Sequence, residues 1–170
     1  MGGGILGVIL FCCLWALPAL AELPEGLVGR WLGAVVLDDR ERPIEIVVSP
    51  RSDGFAVDFI LPDIVPLRAE LVATDKPRVY EMAAASGGLF GFFDGGRQRG
   101  ADPLSGSPLV WARTTSFGMV AYRLAIAPEG DMGLLRVALD VVADGLDLRV
   151  ERRINVRPPE RFEALLTGGD

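Results

Sequence analysis

Trp111 and Arg113 stand two residues apart in the apolar run Leu109–Thr115, and together they could recognise an anion. Residues i and i+2 of an extended strand share a face, so the guanidinium lies beside the indole. If that face points into a closed interior, the buried cation needs a partner, either a protein carboxylate or the anionic head of a ligand. An internal ion pair, or an outward pair in solvent, is the competing reading. Other chemistry is limited by residue type. The chain contains no histidine, and its two cysteines, Cys12 and Cys13, lie in an apolar N-terminal run. Ser-His-Asp and Cys-His catalysis therefore have no base, and zinc and copper lose their usual ligands. Asp38-Asp39, and Asp140 with Asp144 and Asp147, lack the Asp-x-Asp-x-Asp-Gly spacing of a calcium loop. Ser105 is not set in a Gly-x-Ser-x-Gly elbow. Paired carboxylates for glycoside hydrolysis are compatible with so many acidic residues, as they are in any acidic β protein. The expectation is a protein that is not an enzyme and carries no cofactor or metal.

Residues 1–21 read as a secretory signal peptide, in which Ile5–Leu17 forms the apolar run and Pro18-Ala19-Leu20-Ala21 a small-x-small cleavage site before Glu22. The run is shorter than the roughly 20 apolar residues of a permanent anchor, and Pro18 ends it. Phe11 before Cys12 does not fit a lipoprotein signal, and the segment ahead of the run has no Lys or Arg. Residues 22–170 are then expected as one domain, periplasmic or secreted, without stable membrane insertion once the signal is removed. That part has no cysteine, so packing alone must hold it. The 17 basic and 23 acidic residues give a formal net charge of −6. An acidic body without a Lys/Arg run argues against nucleic acid as a partner.

The elements that would position any site read as strands. Ile44, Ile46 and Val48 alternate with Glu45 and Ser49; Phe55, Val57, Phe59 and Leu61 share a face; Leu67, Ala69 and Leu71 continue the pattern. Arg78–Ala84 is a further candidate strand. Val120, Tyr122, Leu124 and Ile126 read as the next apolar face, with Arg123 opposite. Leu135, Val137, Leu139 and Val141 follow, and Asp144-Gly145 signals a hairpin into Leu146, Leu148 and Val150. Phe162, Leu165 and Leu166 stand at helical spacing, which predicts a short C-terminal helix over 158–166. The fold class is therefore all-β: a single antiparallel up-and-down barrel of about eight strands, whose closure removes exposed edges. The stretch Ser86–Pro108 breaks the order with many glycines, among which stand Phe90, Phe92 and Phe93. It is either a lid over a ligand or a loop whose aromatics cap one barrel end.

Gly29-Arg30-Trp31, opening the first strand, resembles the Gly-x-Trp signature of the lipocalin and wider calycin group. That resemblance implies a barrel with one closed end, plugged by Trp31 beside Gly29. An arginine from the last strand would stack over the indole, with Arg149, Arg152 or Arg153 as candidates. The run Asp102 to Arg113, with Tyr122-Arg123-Leu124 and Asp144-Gly145-Leu146, is similar to a group of uncharacterised exported bacterial proteins, and implies no activity.

Two functions are expected from these readings. The first is an exported, lipocalin-like barrel that binds a small apolar or amphipathic ligand non-covalently. Phe55, Val57, Phe59, Tyr122 and Leu124 would line its cup, Phe90, Phe92 and Phe93 would lie near the mouth, and Trp111 with Arg113 would contact the ligand. The second is a filled barrel that acts as a structural or interaction module for an envelope protein partner. Eight strands leave an interior that accommodates either packed side chains or one small ligand.

Overall fold

Period-two alternation dictates the architecture. In a computed structural model, which describes residues 23–61, 67–83 and 102–169, ten antiparallel strands close into one barrel. They are β1 (Gly29–Leu37), β2 (Arg40–Arg51), β3 (Gly54–Ile60), β4 (Leu67–Ala73), β5 (Val79–Met82), β6 (Leu109–Thr114), β7 (Gly118–Ile126), β8 (Met132–Val142), β9 (Gly145–Ile154) and β10 (Glu160–Gly168). Each strand pairs with the next, and β10 returns to β1 through Trp31↔Gly168 and Leu32↔Thr167. The only helical element among the described residues is a 3-10 turn at Pro103–Ser105, capped by the Asp102 carboxylate.

The expected all-β, up-and-down barrel is present, with ten strands in place of about eight. The strand that the sequence reading lacks is β10, expected there as a helix. Residues 158–166 are not a helix. Phe162 and Leu166 are buried and Leu165 is exposed, so the segment alternates as β10, with Ala164 inward between them. Its helical spacing is overridden because both β9 and β1 have an unpaired edge that this strand satisfies.

Two-residue hairpins join several strands. Asp38 and Asp39 adopt φ of 49° and 57°, the left-handed pair that a tight β1–β2 turn needs. These acidic residues are therefore turn residues. At the β8–β9 hairpin, Val142 pairs with Gly145, and Ala143-Asp144 make the loop.

The inward faces of β2, β3, β4, β8 and β9 are those that the alternation predicts. Phe55, Phe59, Ile46, Leu67, Leu71, Leu139, Leu146 and Leu148 are all essentially inaccessible to solvent. Phe55 meets Tyr80 edge to face, with ring centroids 4.8 Å apart. One barrel end is closed from below by the entering chain: Leu27 is fully buried, and Trp31 packs inward against the core. The Trp31 indole N–H donates to the Leu27 carbonyl at 3.2 Å, fixing that segment across the floor.

Near this floor Thr114 faces inward, 1% exposed, and its hydroxyl has no hydrogen-bond partner. A buried hydroxyl without a partner costs about 1–3 kcal/mol. Thr114→Val is expected to raise stability by about 1 kcal/mol, read as a higher denaturation midpoint in urea at unchanged slope. A lower midpoint would mean that the hydroxyl has a partner in solution.

Candidate functional site

The end opposite Trp31 is the mouth. The turns at 38–39, 127–131 and 155–159 lie there, and so do Ala83 and Asp102, which flank the long connection from β5 to β6. Three neighbouring strands position the site. Register places Arg123 of β7 beside Leu135 of β8, which in turn lies beside Arg152 of β9. One step further out, Ala125, Gly133 and Ile154 form the next row. The inward faces of these strands therefore present two guanidiniums, separated by two strand spacings or roughly 10 Å, on an otherwise apolar wall.

These residues line a cavity of about 410 Å³, together with Ile126, Ala127 and Leu134 on its rim. Small side chains make the space: alanine at 125 and glycine at 133 leave the wall bare where larger residues would fill it. A Cβ built on Gly133 approaches nothing closer than the Ala125 carbonyl, at 4.0 Å. Two carboxylates, Glu129 and Asp131, stand on the hairpin above. Asp131 accepts a hydrogen bond from the Asn155 amide at 2.6 Å, and Asn155 accepts one from the Met132 N–H at 2.8 Å, so the β7–β8 and β9–β10 turns are tied together.

The two arginines differ. Arg152 makes a long contact of 3.4 Å with Glu160 of β10, its neighbour in register. Arg123 has no hydrogen bond or ion pair with any described residue, and burial alone pulls its guanidinium below the usual arginine range. Among the described residues no anion returns the free energy that this guanidinium loses on partial desolvation.

The outer surface behaves differently. Arg30 pairs with Glu45 at 2.8 Å, Arg68 with Asp58 at 2.9 Å, and Arg149 with Asp140 and Asp147. Desolvation pushes the Glu151 carboxyl up, but Arg161 and Arg153, each 3.2 Å away, hold it net below its usual range. Exposed pairs of this kind contribute little each and weaken with salt.

The residues singled out from sequence fall into separate places. Phe55, Val57 and Phe59 lie in the barrel interior, packed against other side chains below the mouth. Phe90, Phe92 and Phe93 lie outside the described residues. Trp111 and Tyr122 are partners in register on the outer wall, stacked with centroids 5.0 Å apart and planes 11° apart. Arg113 is exposed on that same outer face. Tyr122 and Leu124 therefore do not line the cup, because β7 has the opposite phase: Met119, Ala121, Arg123 and Ala125 point inward. The apolar outward set is tolerated because it packs laterally, Tyr122 on Trp111 and Leu124 between Leu109 and Leu134. Gly29 and Trp31 sit at the floor, where the indole N–H bonds the Leu27 carbonyl. The arginines proposed to cover the indole are elsewhere: Arg149 points outward to Asp140 and Asp147, Arg153 outward to Glu151, and Arg152 inward at the mouth.

Arg123 was placed on the polar face by sequence. The signal that identifies it is the pair of alanines, Ala121 and Ala125, on either side of it on the same strand face, which leaves room around the guanidinium. Among the described residues no group of three or more His, Cys, Asp or Glu could hold a metal ion, and no helix is long and apolar enough to cross a membrane. The chain matches no protein family, no curated protein and no solved structure.

Proposed function

We propose that this protein is an exported, non-enzymatic binding protein that holds a small amphipathic molecule in the mouth of its barrel. The cavity between β7, β8 and β9 carries this reading, because it combines an apolar wall with polar groups at one side, the usual make-up of a small-molecule site. Export rests on the N-terminal sequence, with its apolar run and Pro18-Ala19-Leu20-Ala21. The Gly-x-Trp opening and the closed floor under Trp31 support a calycin-like plan of one sealed and one open end.

Native mass spectrometry of the protein purified from the exported fraction of its host tests the proposal. A discrete added mass that disappears on denaturation is expected, and the released molecule is the ligand. A bare protein mass, together with no displacement of a solvatochromic dye by small amphipaths, would overturn it. The dense packing around Phe55 and Phe59 favours the alternative, a filled barrel that contacts an envelope partner through its surface. In that case the same preparation retains a second protein.

A further inference from the structure

We propose that Arg123 is the head-group recognition residue of the mouth, and that the site takes a short amphipath with a single negative charge, a monocarboxylate in class. The inference rests on the reading of the mouth as a ligand site and adds the chemistry of the ligand.

The argument starts from Arg123 itself. Arg30, Arg51, Arg68, Arg149, Arg153 and Arg161 meet carboxylates on the outer wall, and Arg152 meets Glu160. Arg123 faces the cavity instead, with no carboxylate bonded to it. A planar guanidinium offers a fork of donors that fits the two oxygens of a carboxylate, and such charge-assisted bonds are about twice as strong as neutral ones. The bound anion would supply the partner that the fold withholds.

The surroundings set the number of charges. Glu129 and Asp131 also line the cavity, and only Asp131 has a described partner, the neutral Asn155 amide. Negative charge from these two carboxylates on the same lining disfavours a second anionic group on the ligand. Arg152, already leaning on Glu160 at 3.4 Å, supplies a second but partly neutralised guanidinium. Among the described residues of the lining, one unpaired cation therefore faces one anionic group.

Depth sets the length of the body. Beneath the row of Arg123, Leu135 and Arg152 the interior is occupied by Val137, Val150 and Phe162, all buried. A ligand cannot descend past them without displacing packed side chains. Its apolar part must instead lie against Ala125, Gly133, Leu135 and Ile154 within about 410 Å³. Gly133 controls that space, because a side chain there would enter the cavity without meeting backbone.

Calorimetric titration of the exported protein with octanoate, octan-1-ol and octylammonium tests the assignment. Octanoate is expected to bind roughly tenfold tighter than octan-1-ol or better, with octylammonium weakest. Arg123→Gln should remove that preference and bring octanoate to parity with octan-1-ol. Gly133→Leu should weaken octanoate and octan-1-ol alike. Equal binding of octanoate and octan-1-ol, both sensitive to Gly133→Leu, would overturn the role of Arg123 while leaving the mouth as a ligand site. A preference that survives Arg123→Gln would place the anion elsewhere and likewise overturn it. Failure of all three probes to bind would sink both the head-group assignment and the ligand-binding reading. Should Arg123→Gln not fold, the wild-type ratio of octanoate to octan-1-ol decides, and parity rejects the proposal.

Discussion

Gly118→Ala is expected to lower stability by about 3 kcal/mol or more, visible as a fall of roughly 10 °C in the thermal transition followed by circular dichroism. A Cβ at position 118 would lie 1.9 Å from the Leu139 carbonyl oxygen and 2.9 Å from Asp140 Cα. These are backbone atoms of β8, held by the ladder in which Gly118 pairs with Asp140. They can withdraw only by opening the β7–β8 register. The same crowding exists at Gly54, where the Leu71 carbonyl would lie 1.8 Å away. Both glycines open their strands at the floor of the barrel, so the missing Cβ lets adjacent strands close in and narrow that end. Gly133→Ala, with the nearest atom 4.0 Å from the added carbon, is the control and should shift the transition little. Equal melting of the Gly118 and Gly133 variants would remove the steric argument.

Phe59→Ala is expected to cost about 3–5 kcal/mol in urea denaturation, the range for truncating a fully packed aromatic. Phe59 is 0% exposed and lies in register between Ile46 and Leu67, both equally buried. The experiment also distinguishes a packed interior from a hollow one. A side chain that merely borders empty space loses fewer contacts on truncation, because one of its sides has no partner atoms. A cost below about 1 kcal/mol would place open volume next to Phe59 and move the ligand deeper than the mouth. A cost in the full range confines any ligand to the end where alanine and glycine leave room.

The legible parts of this chain are those where one strand face is apolar and the other polar. Leu146, Leu148 and Val150 could be assigned to the interior from sequence because Asp147, Arg149 and Glu151 alternate with them, and Ile44, Ile46 and Val48 from Glu45 and Ser49. On β7 that contrast disappears. Its apolar residues Val120, Tyr122, Leu124 and Ile126 face outward and cover each other and Trp111, while the inner face holds Met119, two alanines and one arginine. A shift of one residue exchanges the two faces, and here size mattered more than hydropathy. On the β7 wall near the mouth Ala121 and Ala125 face inward although bulkier apolar residues stand on the other face. That shift hid Arg123 and brought Trp111, Arg113 and Tyr122 forward as ligand contacts. The C-terminal strand was obscured for another reason. Phe162, Leu165 and Leu166 fit a helix locally, and only the vacancy between β9 and β1 decides for β10. Local spacing cannot register that demand, since it belongs to the closed ring.

The β1–β10 seam also shapes how the chain reaches this ring. Every other ladder joins strands consecutive in sequence, so each can form as a hairpin while the rest of the chain is still searching. The seam must bring together the two ends of the described chain, and its loop-closure entropy is the largest of any pairing in the barrel. Until it forms, β1 and β10 are bare edges that carry Val36 and Leu165 on their outward faces, 68% and 57% exposed even in the finished barrel. Edges of that kind pair readily with another chain. Folding of this protein is thus a contest between its own last ladder and a neighbour's, and the outcome depends on concentration as much as on sequence.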